Sequence, residues 1–172
     1  MNRIFLLFLL IFFSFSIPKN LVKRIDKEIK SSFNVTSFSK EIFIIDDEIN
    51  ASLLVPFRDD NFYKILTDQN FIGYFYYGKA PSKTDEFDFL VIFDKNLIIK
   101  KIKILAYRED YGMEIGSKRW LKQFNDLTTG DQVKYQKDIK AISGATISAK
   151  SMTKAVNDLL QSIAILKNKN KL

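Results

Sequence analysis

Leu21, Val22, Ile25, Ile29 and Phe33 recur three and four positions apart, with Ser32 on the same stripe and charged residues between them. That period predicts an amphipathic first helix. Glu41 to Asp46 (EIFIID) is a short apolar run and predicts a strand, whereas Asp47 to Val55 is ambiguous. Phe62–Leu66 and Phe71–Tyr77 flank Thr67-Asp68-Gln69-Asn70, which reads as a hairpin. Gly78 to Asp85 (GKAPSKTD) has the composition of a loop. The run Phe87 to Phe93 predicts a central strand, and Asp94-Lys95-Asn96 turns the chain into a long strand, Leu97 to Tyr107, that ends a meander. A glycine-punctuated loop follows from Arg108 to Gly116. Ser117 then reads as the N-cap of a short helix bearing Trp120, Leu121 and Phe124. Met152, Val156, Leu159, Ile163 and Leu166 mark a terminal helix. The order predicts an α+β single domain: a mostly antiparallel twisted sheet with an N-terminal helix, a short helix and a C-terminal helix.

The first residues fit no part of that domain. Arg3 precedes an apolar run, Ile4 to Phe13, and Ser14-Phe15-Ser16 is a small-x-small site. This is the pattern of a secretory signal over 1–16, leaving a domain over 17–172. Ile4 to Ile17 is about 14 residues, short of the ~20 that a spanning helix needs; if uncleaved, the segment is a retained N-terminal anchor. In either case the expected location is extracytoplasmic, in the periplasm or on the outer face of the membrane.

Composition narrows the chemistry. The 172 residues contain no Cys and no His, which excludes thiolate nucleophiles, Fe–S and zinc–thiolate sites, lipoprotein acylation, Ser-His-Asp catalysis and the usual imidazole ligation. Redox work here requires a cofactor held without sulfur or imidazole. The net charge of +7 falls by one unit with Arg3, and an exported chain seldom meets nucleic acid. Lys100, Lys101 and Lys103 on one strand, with Lys167, Lys169 and Lys171 in the tail, read as a solvated face, or as the source of a weak attraction to an anionic membrane surface.

One turn stands out. Ser143-Gly144-Ala145-Thr146 lies immediately ahead of the terminal helix. A helix N-terminus offers unpaired N–H groups and a positive dipole end, which suit a phosphate, and Gly144 and Ala145 leave the backbone open to close approach. The alternative is ordinary capping by Ser143 or Thr146.

Asp138 followed by Ile142-Ser143-Gly144-Ala145-Thr146 resembles the flavinylation motif of the FMN-binding domain family, which includes the flavin-carrying G and C subunits of the Rnf and Nqr membrane complexes. The segment Tyr107 to Phe124, with Tyr111, Gly112, Met113, Glu114, Lys118 and Trp120, resembles that family's second segment, and the resemblance covers roughly 73–160. Met113 stands where many relatives have a glycine, and Ala149 where a serine often follows. The resemblance implies FMN esterified through its phosphate to Thr146 by a separate flavin transferase, with Asp138 either helping the transferase's metal–flavin donor or serving as a turn residue. It implies a ring bordered by Tyr111, Gly112 and Met113, with Trp120 against it or in the core, and Glu114 either at the flavin or holding the loop. Lys118 or Arg108 beside the ring would favour its reduced anion; for Arg108 a solvated charge is the simpler expectation.

The function expected is an exported electron-transfer flavoprotein, relaying electrons between membrane or extracytoplasmic redox proteins. It is more a carrier than a stand-alone oxidoreductase, since no proton-donating constellation is present. The alternatives are a flavin-dependent reductase of a small acceptor, or a non-redox adaptor that has lost the flavin.

Overall fold

The computed structural model describes residues 17–58, 60–68 and 70–172; the expected signal segment lies outside them. Helix α1 (Lys19–Phe33) leads into strand β1 (Ser39–Ile42), a short helix α2 (Asp47–Ala51), and strands β2 (Phe62–Thr67), β3 (Asn70–Pro81), β4 (Glu86–Asp94) and β5 (Ile99–Ala106). A 3-10 turn at Met113–Gly116, helix α3 (Lys118–Leu121) with a 3-10 extension at Lys122–Phe124, and helix α4 (Thr146–Asn168) complete the chain. The five strands form one antiparallel meander in the order β1-β2-β3-β4-β5. The fold is the α+β single domain that the pattern predicts.

Both faces of the sheet are apolar because both are covered. On one face Phe75, Tyr77, Leu90, Ile92 and Leu105 pack with Leu21, Ile25 and Ile29 of α1. On the other, Tyr74, Tyr76, Phe89, Val91 and Phe93 pack with Met152, Val156, Leu159, Ile163 and Leu166 of α4, all five of them fully enclosed. Period-2 alternation along β3 assigns the four consecutive aromatics Tyr74 to Tyr77 to the two faces in turn. Cross-strand pairs follow, with Tyr63 stacked on Phe75 at 4.7 Å and Phe62 on Tyr74 at 5.4 Å.

Four local expectations are corrected. The segment Gly78 to Asp85 is not all loop: β3 continues through Pro81, paired with β4 from Gly78↔Phe89 to Pro81↔Glu86. Tertiary pairing overrides the Gly, Lys and Pro composition, and Pro81 is tolerated as a strand's last residue. Only 82–85 turn, closed by the Ser82 N–H and hydroxyl donating to Asp85 O, each at 2.7 Å. The strand placed at Glu41 to Asp46 begins and ends earlier, at Ser39–Ile42, and is exposed throughout; Phe43, whose N–H still donates to Phe62 O at 3.0 Å, and Ile45 pack on the α4-side core. The last strand starts at Ile99, not Leu97, because the Asp94 carboxylate accepts from Asn96 N and Ile98 N and holds Leu97 at φ 64° within the turn. Nor do the strand lysines form a purely solvated face: Lys101 pairs with Glu28 of α1 at 2.6 Å and Lys103 approaches it at 4.0 Å. Among the described residues, no helix is long and apolar enough to cross a membrane.

Where α1 ends, a side chain at Gly73 would run into Phe93 O of β4 and stand 2.8 Å from Phe33 Cζ. Backbone cannot give way there. Gly73→Ala is expected to destabilise the domain by about 1–3 kcal/mol, as overpacking does, with a matching fall in the denaturant midpoint.

Candidate functional site

The end of the sheet where β5 finishes is fixed by a buried charge. Asp88 of β4 is fully enclosed and pairs with Arg108 at 2.5 Å, while Tyr77 donates its hydroxyl to the same carboxylate. Arg108 also donates to Glu86 O at 2.7 Å. Arg108 is therefore a structural anchor instead of a solvated charge. A buried carboxylate without this partner would be costly, so the first residue of the loop after Tyr107 is held to the sheet. Burial and the neighbouring Asp88 carboxylate push the Tyr77 phenol well above its usual range. Next in the chain, Glu109 reaches the β3–β4 turn, accepting from Thr84 N at 2.7 Å, Thr84 Oγ1 at 2.9 Å and Asp85 N at 3.3 Å. Held by Ser82, Thr84 and Asp85, its carboxyl is brought down to about 2.

A second turn approaches from the other side. Trp120 donates from Nε1 to Lys140 O at 2.7 Å, Gln123 Oε1 accepts from Lys140 N at 2.9 Å, and Ile139 and Ile142 are buried. These contacts place Ser143-Gly144-Ala145. Trp120 is thereby a core residue, packed edge-on against Phe124 at 5.3 Å, while its rim lines a hollow with Ser143. Ser117 caps α3 as predicted, accepting from Trp120 N.

The two turns meet at backbone level. Gly112 has φ 77° and Gly144 φ 75°, a region that favours glycine. A Cβ on Gly112 would stand 2.5 Å from Ala145 Cβ and 3.0 Å from Gly144 O. The Ala145 methyl of the Ser-Gly-Ala-Thr turn therefore packs where a side chain on Gly112 would be.

Helix α4 starts without a cap. Its N-cap residue is Ala145, no side chain accepts from the first turn, and that turn carries no acid. Neither Ser143 nor Thr146 caps, so the ordinary-capping alternative is corrected, and both residues are exposed. Beside Thr146 lies a hollow of about 450 Å³ lined by Lys83, Tyr107, Glu109, Tyr111 and the residues from Gly144 to Ser148. Its floor includes the contact between the Tyr107 hydroxyl and the buried Ser148 hydroxyl, at 3.0 Å. Tyr111 is 80% exposed and Ile147 51% exposed, an unusual commitment of apolar surface to solvent at one spot.

The remaining expected residues lie outside the lining of this hollow. Gly112 contacts the turn itself. Glu114 and Ser143 line a second hollow with Trp120, where Glu114 also accepts from Arg119 at 2.8 Å. Met113, 63% exposed, lies beside Gly116 and Ser117. Lys118 lines a third hollow among Lys100, Lys101, Lys103 and Lys122, whereas the cation at the Thr146 hollow is Lys83. Asp138 accepts from Lys134 N at 2.8 Å, which closes its own turn. Sequence reasoning did not list Lys83, Glu109, Ile147 or Ser148. Lys83 and Glu109 arrive through pairing across the sheet and leave no local signal. Ile147 does leave one, an apolar residue just off the buried stripe of α4.

Fold and site together define a small α+β domain that presents an exposed hydroxyl at an uncapped helix N-terminus beside an aromatic hollow. In a comparison with known families, the FMN-binding domain model matches residues 83–161, which takes in both glycine turns and most of α4. This match supports binding of FMN. No curated protein matches the chain.

Gly112→Ala combines a disfavoured φ with a clash against Ala145. It is expected to cost about 1–3 kcal/mol and to disorder 109–113, read as lost amide protection there while β3 and β4 stay protected.

Proposed function

We propose that the protein is an exported electron carrier holding one FMN through a phosphoester to Thr146, and that it exchanges electrons with membrane or extracytoplasmic redox proteins. The observation that carries this reading is the exposed Thr146 hydroxyl at the uncapped start of α4, with the aromatic hollow beside it. Attachment requires a flavin transferase. The Thr146 oxygen forms the new bond to the flavin phosphate of FAD as the pyrophosphate bond breaks; AMP leaves, and the hydroxyl proton is released. A covalent link prevents loss of the cofactor outside the cytoplasm.

The chain's own residues then have defined tasks. The free N–H groups and positive dipole end of α4 stabilise the phosphate. Tyr107, Tyr111 and Ile147 cover the ring's apolar surface, and Lys83 brings a positive charge that favours the electron-rich form. Bound FMN supplies the chemistry of accepting and passing on electrons. The carboxylate in the hollow, Glu109, is committed to the β3–β4 turn and held ionised, which favours relay over proton-transfer chemistry on a small molecule.

Co-expression with a flavin transferase is expected to add one FMN, less a water, to the chain. Thr146→Ala should abolish this addition and change stability by no more than about 0.5 kcal/mol, since the residue is exposed and caps nothing. Ser143→Ala should retain the flavin. Equal loading of Thr146→Ala and wild type, measured as flavin fluorescence of the unfolded protein, would contradict the assignment.

A further inference from the structure

Helix α1 carries charge of one sign on its outward side. At about 100° per residue, Lys19, Lys23, Lys27 and Lys30 fall within about 80° of arc, and all four are exposed. Among the described residues none of the four forms an ion pair. Of the helix's acids, Asp26 is half-buried and borders the row about 20° from Lys19, whereas Glu28 lies on the opposite side of the helix and is taken by Lys101. Arg24 is also engaged, donating to Leu105 O. On α4, by contrast, Lys154 is paired with Asp158 one turn on.

We infer that this row of lysines is a docking surface for an anionic phospholipid bilayer, on which α1 lies flat. The row runs straight for about 17 Å along the helix, one lysine per turn. It has no exposed aromatic or aliphatic anchor of the kind that carries protein–protein affinity, and a charged lipid surface needs none. In sequence the row begins six residues after the apolar run Ile4 to Phe13, so the helix starts where the chain leaves a membrane-directed segment. Docking has a consequence for the site. Helices α1 and α4 lie on opposite faces of the sheet, so a bilayer under α1 leaves the Thr146 hollow turned away from lipid and open to a redox partner.

The test uses the chain from Ile17 onward, whose helices cover both faces of the sheet, with vesicles of phosphatidylcholine alone or mixed with phosphatidylglycerol. Binding is expected only to the mixed vesicles and should weaken steeply with added salt. Replacing the row (K19Q, K23Q, K27Q, K30Q) should weaken it by roughly several hundredfold, at roughly fivefold per lysine. Removing the same charge elsewhere (K150Q, K154Q, K167Q, K169Q) should change it less than threefold. Unchanged melting temperatures would show that both variants fold; if the quadruple variant does not, the pairs K19Q/K23Q and K27Q/K30Q should each give part of the loss. Equal losses in the two sets, binding to phosphatidylcholine alone, or binding of duplex DNA but not mixed vesicles would overturn the inference. Because the readout needs no flavin, its failure would leave the Thr146 assignment untouched.

Discussion

The Thr146 end of the molecule depends on how closely two backbone turns approach each other. Gly112 and the Gly144–Ala145 pair meet with no space for one more methyl group, and both glycines occupy left-handed backbone. This approach brings Tyr111 to the side of Thr146 and gives the hollow its second wall. A side chain on Gly112 would separate the turns, and the exposed hydroxyl would then stand on a bare helix end.

Neither turn positions itself. The first is fastened at its start by the Asp88–Arg108–Tyr77 cluster and, one residue on, by Glu109 against the β3–β4 turn. The second is held by Trp120 and Gln123 gripping Lys140 from two sides, and by burial of Ile142. These anchors come from β4, from a hairpin tip and from α3. The sheet thus acts as a frame, covered on both faces, whose far edge brings remote segments to one place. Exposed sites on rigid scaffolds follow this logic generally.

The elements with strong periods were legible. Helix α1 and helix α4 announce themselves by apolar residues at three- and four-residue spacing, and the β2–β3 hairpin by its turn residues. Gly78 to Pro81 was not, because its composition suits a loop and only pairing with Glu86 to Phe89 makes it strand. In the site, the Ser-Gly-Ala-Thr turn was legible as local chemistry. Arg108 was not legible as an anchor, since Asp88 lies twenty positions away and reads in sequence as one polar residue within an apolar strand. For the same reason Lys83 escaped notice while Lys118, nearer in sequence to the glycine loop, drew attention.

The central claim is that the Ser-Gly-Ala-Thr turn carries a phosphoester at Thr146. Unfolding the protein from its native source, digesting it with trypsin and following flavin fluorescence tests this directly. The account predicts that the fluorescence stays with the peptide Ala141–Lys150, whose mass exceeds its sequence by one FMN less a water. Release of all flavin on unfolding, with that peptide recovered unmodified, would contradict it.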